Sequence, residues 1–158
     1  SGANAVQLFE SLGGAISART MLQFALPEMA RISLALKERH PGVPCMAFAR
    51  GAGYINPTLQ RAKFDVITLD RNIDVEEALG ALEETAWVTG KRATVQGNLD
   101  PQLLVNSSRE EITDAVERMI GRIGRQNTIA NLGGGLMGKE DPDLVAHYVE
   151  EVRRLSRR

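Results

Sequence analysis

Cysteine, tryptophan and histidine are nearly missing from this chain of 158 residues, which has one Cys, one Trp and two His. A lone thiol, Cys45, excludes an intramolecular disulfide and a cysteine-built zinc site. Its expected place is a buried apolar one. His40 and His147 have no partner at metal-ligand spacing, so both read as surface residues and no metal is expected. Net charge is also scarce. With 19 basic and 20 acidic side chains the formal charge is -1, which leaves no bulk positive field for nucleic acid or an anionic membrane. No run approaches the roughly 18 apolar residues of a membrane span. The opening "SGANAVQLFE" has neither the charged start nor the apolar stretch of a signal peptide. What the chain does have is 43% hydrophobic and 25% charged residues, the composition of one folded unit with a core.

Along the chain two periods alternate. Apolar runs at 5–11, 45–49, 64–70, 92–101 and 127–132 read as strands, each left by a polar or Gly-rich loop. Between them lie helical patterns. The first, at 24–40, has Pro27 in its first turn and Met29, Ile32, Leu34 and Leu36 at roughly helical spacing. A short helix follows "RGAG", with Asn56 as its expected N-cap and Pro57 at its first position. The next helix, 74–86, opens on Asp74. The one at 107–124 opens on Ser107 or Ser108 with Glu110 or Glu111 as a capping box, and its inner stripe is Ile112, Val116, Met119, Ile120 and Ile123. The last, 141–156, is capped by Asp141 before Pro142.

Five βα units in order, with strands that are continuous apolar runs, imply an α/β fold with a parallel sheet covered on both faces. Periodicity leaves two architectures open, an open doubly wound sheet or most of a (β/α)8 barrel. "GGGLMGK" at 133–139 lacks the ending and spacing of a phosphate-binding loop. Gln96, Asn98 and Asp100, beside Pro101, sit where a strand meets its loop. They could touch a ligand, but a tight turn and a helix cap need the same residues, and the structural reading is favoured. Asn131 is equally ambiguous.

The series "VQLFES", "FALPEMARI", "MAFARGAG", "DVITLD", "VQGNLDP" and "TIANLGGGL", followed by "DPDLVAHYVEEVRRLSR", resembles the C-terminal part of the uroporphyrinogen decarboxylase family. The likeness covers residues 1–158. It implies a partial TIM barrel, about the last five βα units, with the N-terminal barrel strands absent. It implies removal of carboxyl groups from the acetate side chains of uroporphyrinogen to give coproporphyrinogen, with no metal or organic cofactor. Enzymes of this kind resemble cytoplasmic homodimers, or plastid ones in photosynthetic lineages.

The resemblance carries over Ser11 as a hydrogen-bonder of a substrate carboxylate and Phe9 as a pocket wall; without it, Phe9 reads as a core aromatic and Ser11 as a loop hydrogen-bonder. Arg50 retains a positive charge where the family often has lysine, and is a candidate for an acidic ligand. The departures are pronounced. Gly134 stands where the family's "NLGHG" has a histidine facing substrate, so a side chain is missing there. Arg71 replaces the tryptophan of "LDW" and reads as a solvated loop charge or a compensating anion contact. The family's central aspartate and arginine cluster belong to strands before this stretch.

Two alternatives stand beside the decarboxylase. One is a superfamily methyltransferase, whose zinc site resembles a His-x-Cys followed by a later Cys; Phe48, Ala49, Arg50 and "LGGG" occupy those places. The other is a non-catalytic partial barrel that binds or assembles. Five parallel strands short of closure would leave two edges and an apolar face, so self-association is expected.

Overall fold

A computed structural model describes residues 2–157 of the chain. Five strands, β1 (Val6–Glu10), β2 (Cys45–Ala49), β3 (Val66–Thr68), β4 (Thr94–Leu99) and β5 (Thr128–Leu132), form one all-parallel sheet in the order β1-β2-β3-β4-β5. Each strand therefore pairs with the next in sequence. The order never reverses, whereas a doubly wound sheet has a switch point where it does.

The helices are α1 (Ala18–Thr20), α2 (Leu26–Arg39), α3 (Asn56–Arg61), α4 (Val75–Thr89), α5 (Leu103–Asn106), α6 (Arg109–Ile123) and α7 (Pro142–Ser156). Side chains alternate across a strand, so its two faces can be read separately. Cys45, Ala47 and Ala49 of β2, Ile67 of β3, and Val95 and Leu99 of β4 join one core with Leu82, Ile112, Val116 and Leu144 of the helices. The alternate residues Gln7, Phe9, Met46, Phe48, Thr68, Gln96, Ile129 and Asn131 point away from that core.

This corrects the expectation of helices on both faces. Helical packing covers one side only, the arrangement of a singly wound sheet consistent with part of a barrel. The strands still read as continuous apolar runs because the second face is partly self-covered. Phe48, Val66, Thr68 and Gln96 are buried there, and the Gln96 amide donates to Thr68 Oγ1 at 2.9 Å. Towards the edges the cover fails: Phe9 is 62% exposed and Ile129 40%.

Local chemistry explains most element ends. The Asp74 carboxylate accepts from Glu77 N and opens α4, Ser108 and Glu111 form the reciprocal capping box of α6, and Asp141 caps α7. Three expectations fail. Helical structure begins at Ala18, with Ser17 as cap, and runs through a π-helical segment, Met21–Ala25, into α2. Pro27 thus lies inside a longer helix, where the widened turn before it accommodates its missing N–H. Within α2 the buried residues are Leu26, Met29 and Ser33, while Ile32 and Leu34 are exposed. Asn56 is the first residue of α3, not its cap; Ile55 precedes it and makes no side-chain capping bond.

Candidate active site at the strand ends

The exit loops of all five strands gather at the C-terminal edge of the sheet, where parallel α/β folds hold their chemistry. Glu10 pairs with Ala49 in the β1–β2 register, so Ser11 and Arg50 follow side by side. Arg50 N donates to Glu10 O at 2.9 Å, and Gly14 N to Arg50 O at 2.9 Å. Gly51, at φ +70, lies so close to Gly14 that an added Cβ would stand 2.7 Å from Gly14 Cα. Only glycine permits that contact. The backbone around Arg50 is thereby pinned, while the Arg50 and Ser11 side chains are exposed and form no side-chain hydrogen bond or ion pair among the described residues.

Phe9 stands on the face without helices and meets Phe48 edge-on, with centroids 6.4 Å apart and planes at 88°. This arrangement is a common favourable one for aromatic rings. It places Phe9 outside the helix-covered core, in a position to wall a ligand.

Sequence reasoning missed the anchor of this rim, Asp70. Its two carboxylate oxygens accept from Gly51 N at 3.0 Å and Asn72 N at 3.2 Å, and its carbonyl accepts from the Asn98 amide at 3.1 Å. One residue thus ties the exits of β2, β3 and β4. Asn98 and Asp100 take the structural role expected of them. The Asp100 carboxylate accepts from Gln102 N at 3.0 Å and stands 3.3 Å from Arg71 Nη1. Arg71 is therefore neither a lone solvated charge nor an unpartnered anion contact; it bridges two loops.

The loop after β5 is fastened to the end of β4 and to the loop after β3. Gly133 N donates to Leu99 O at 2.8 Å, and Arg71 N donates to Gly133 O at 3.0 Å. Gly134 follows with Pro101 as its neighbour; a Cβ built on it would lie 3.6 Å from Pro101 Cγ. The position accepts a side chain sterically, yet offers none. Further along, the Glu140 carboxylate accepts from Met137, Gly138 and Lys139 N at 2.8–3.0 Å. These bonds, that from Met137 foremost, hold its carboxyl below the usual range.

His147, expected on the surface without partners, is instead half-buried, with Nε2 3.0 Å from Thr113 Oγ1 and 3.0 Å from Arg109 O. It joins α7 to α6. No group of three or more His, Cys, Asp or Glu side chains that could hold a metal occurs among the described residues. None of their helices is long and apolar enough to cross a membrane.

The family model described as uroporphyrinogen decarboxylase (URO-D) matches residues 1–155. The chain belongs to that family. Relatives named uroporphyrinogen decarboxylase include one from Paracoccus denitrificans, 38% identical over 96% of this chain and 42% of its own length. One from Ovis aries is 37% identical over 99% of this chain and 42% of its own length. A third, named uroporphyrinogen decarboxylase 2, chloroplastic, from Arabidopsis thaliana, is 34% identical over 98% of this chain and 37% of its own length. The chain spans about two fifths of the length of the curated relatives it matches. Phe9, Ser11, Arg50 and Gly134 all lie at the strand-end rim or on the bare face beside it.

Proposed function

We propose that this chain supplies one wall and rim of a uroporphyrinogen decarboxylase, a carbon–carbon lyase of porphyrin and heme biosynthesis that converts uroporphyrinogen III to coproporphyrinogen III. The observation that carries the reading is the coincidence of a family match over residues 1–155 with an uncovered sheet face ending in unpaired polar side chains. In the reaction, a proton adds to a pyrrole ring. The bond to the acetate carboxyl then breaks, CO2 leaves, and the electron pair flows into the cationic ring. Protonation of the resulting methylene carbon gives the methyl group, and the ring returns its proton. The net change for each arm is loss of CO2 and gain of one proton. The substrate's own ring is the electron sink, so this chemistry calls for no cofactor.

Within that scheme Arg50 and Ser11 contact substrate carboxylates, because a guanidinium and a hydroxyl with no internal partner favour anionic oxygens. Phe9 stacks against the macrocycle. Gly134 leaves space near Pro101 where the resemblance expects a histidine. The strand-end wall closes on further strands that carry the acidic and arginine groups, in a cytoplasmic or plastid homodimer. The chain alone is inactive in this reading.

A second reading has support of its own. Gly134 provides no side chain where the resemblance expects a histidine, which favours a non-catalytic binding or assembly segment. Incubation with uroporphyrinogen under reducing conditions, followed by separation of the oxidised porphyrins, tests both. The chain alone should give no coproporphyrin above a protein-free control, and the complete polypeptide containing it should give it readily. Product from the chain alone overturns its proposed dependence on further strands; none from the complete polypeptide overturns the decarboxylase reading. In an active complete enzyme, Gly134→His should raise the rate.

A further inference from the structure

At the N-terminal end of the sheet, opposite the strand-end rim, the turns leading from α3 into β3 and from α4 into β4 border, with the last turn of α2, an open cavity of about 780 Å³. Five cations line it: Lys37, Arg61, Lys63, Lys91 and Arg92. Two are compensated. Lys37 pairs with Asp65 and donates to Val43 O at 2.9 Å, and Arg92 Nε lies 3.4 Å from Glu83 Oε2. Arg61, Lys63 and Lys91 have no carboxylate within ion-pair distance among the described residues.

Helices α2, α3 and α4 all end at this cavity, and the C-terminus of a helix bears about half a negative charge. Three such ends offset about one and a half of the three uncompensated cations, leaving a surplus of about one to two. Lys63 is fixed in place by the end of α3. Its backbone is left-handed at φ +64, a conformation that favours glycine or asparagine. That turn closes α3, with Lys63 N donating to Gln60 O at 3.1 Å and Phe64 N to Leu59 O at 3.2 Å, so the left-handed residue is the stop of the helix and holds its cation at the cavity wall. Phe64, Val88 and Ala93 contribute apolar wall between the charges.

We propose that this cavity binds a small organic polyanion, an apolar frame bearing several anionic groups. The site is separate from the decarboxylation rim. The cations match the anionic groups, and the Phe64 and Val88 walls match the frame.

Titration calorimetry of the full chain with trimesate, an aromatic tricarboxylate, at low ionic strength tests this. Saturable binding is expected, weakening as salt is added. The triple variant Arg61→Gln, Lys63→Gly, Lys91→Gln should lose roughly tenfold or more in affinity, while Arg122→Gln on α6 keeps it. Lys63→Gly alone relaxes the backbone, so it tests the charge in a chain that still folds; a loss of roughly threefold is expected. Inorganic pyrophosphate, which lacks the frame, should bind more weakly than trimesate. Amide shifts on binding should fall in residues 61–65 and 88–93. The proposal is overturned by absence of saturable binding, equal affinity in the charge-removal variants, an equal loss in Arg122→Gln, pyrophosphate binding as tightly as trimesate, or shifts centred on Ser11 and Arg50.

Discussion

Adjacent glycines in the loop after β5 should respond oppositely to one added methyl group. A Cβ on Gly133 would overlap Arg71 N and stand 2.6 Å from Arg71 Cα. Both atoms are backbone, so no rotamer change relieves the contact. The two loops must part by roughly an ångström to restore ordinary contact. That displacement stretches two hydrogen bonds, Arg71 N to Gly133 O and Gly133 N to Leu99 O, each worth about 1 kcal/mol net. With an overpacking penalty of about 1–3 kcal/mol, Gly133→Ala should destabilise the fold by about 3 kcal/mol. For a chain of this size that lowers the melting temperature by roughly 6–12 °C. On Gly134 the same methyl meets only Pro101 Cγ at 3.6 Å, an ordinary contact. Gly134→Ala should therefore be neutral, or stabilising by about 0.5 kcal/mol through the stiffer unfolded chain. Far-UV circular dichroism during heating and in urea is the suitable assay, because Trp87, 89% exposed, reports little on folding. Equal stability of the two variants, or greater damage from Gly134→Ala, would refute the assignment of the close β3–β5 loop contact to Gly133.

The buried Tyr148 hydroxyl has no hydrogen-bond partner among the described residues, and burial pushes its pKa up to about 12. The neutral phenol is thus favoured in the fold, giving stability that is present below about pH 10, the ordinary tyrosine value, and is lost as pH climbs towards the folded pKa. Tyr148→Phe should gain about 1 kcal/mol at neutral pH and unfold at higher pH in alkaline titration; an unchanged alkaline midpoint argues against it. Ser108→Ala removes half of the α6 capping box and should cost about 1 kcal/mol in urea unfolding, whereas Ser107→Ala should cost little; a reversed order would show that the wrong serine is the cap. The unpaired edges of β1 and β5, with Phe9 and Ile129 exposed between them, predict self-association of the isolated chain. A single 17.2 kDa species in sedimentation velocity, without apolar dye binding, would contradict it.

Elements whose cause is local were legible before the structure. The strands declare themselves by apolar runs, and Asp74, Ser108 and Asp141 mark helix starts because each bonds an N–H two or three residues on. What resisted reading depends on residues far apart. Pro27 signals a helix start, but the π-helical segment at Met21–Ala25 lets the helix begin earlier and pass through it. His147 is polar in a terminal helix, and only the approach of α6 supplies Thr113 and Arg109. The bare face was hidden because Phe48 and Val66 are as apolar as the core residues that alternate with them. At the rim, Ser11, Phe9, Arg50 and Gly134 stood out through family resemblance alone, and Asp70 did not stand out at all. Its importance lies in bonds to Gly51 and Asn98, 19 and 28 residues away.

The strictly sequential strand order gives the sheet the energetics of a row. β3, all of whose residues are buried, can lose its backbone bonds only if a ladder on each side opens. β1 and β5 each need part from one neighbour. Protection against amide exchange should therefore rise from both ends of the row to its middle, while the bond from Arg71 N to Gly133 O ties the loop after β5 directly to the exit of β3. The strand-end rim is consequently stiff at its centre, around Asp70, and yielding at Ser11 and Gly134, so a bulky ring entering it would meet a fixed floor between two compliant walls.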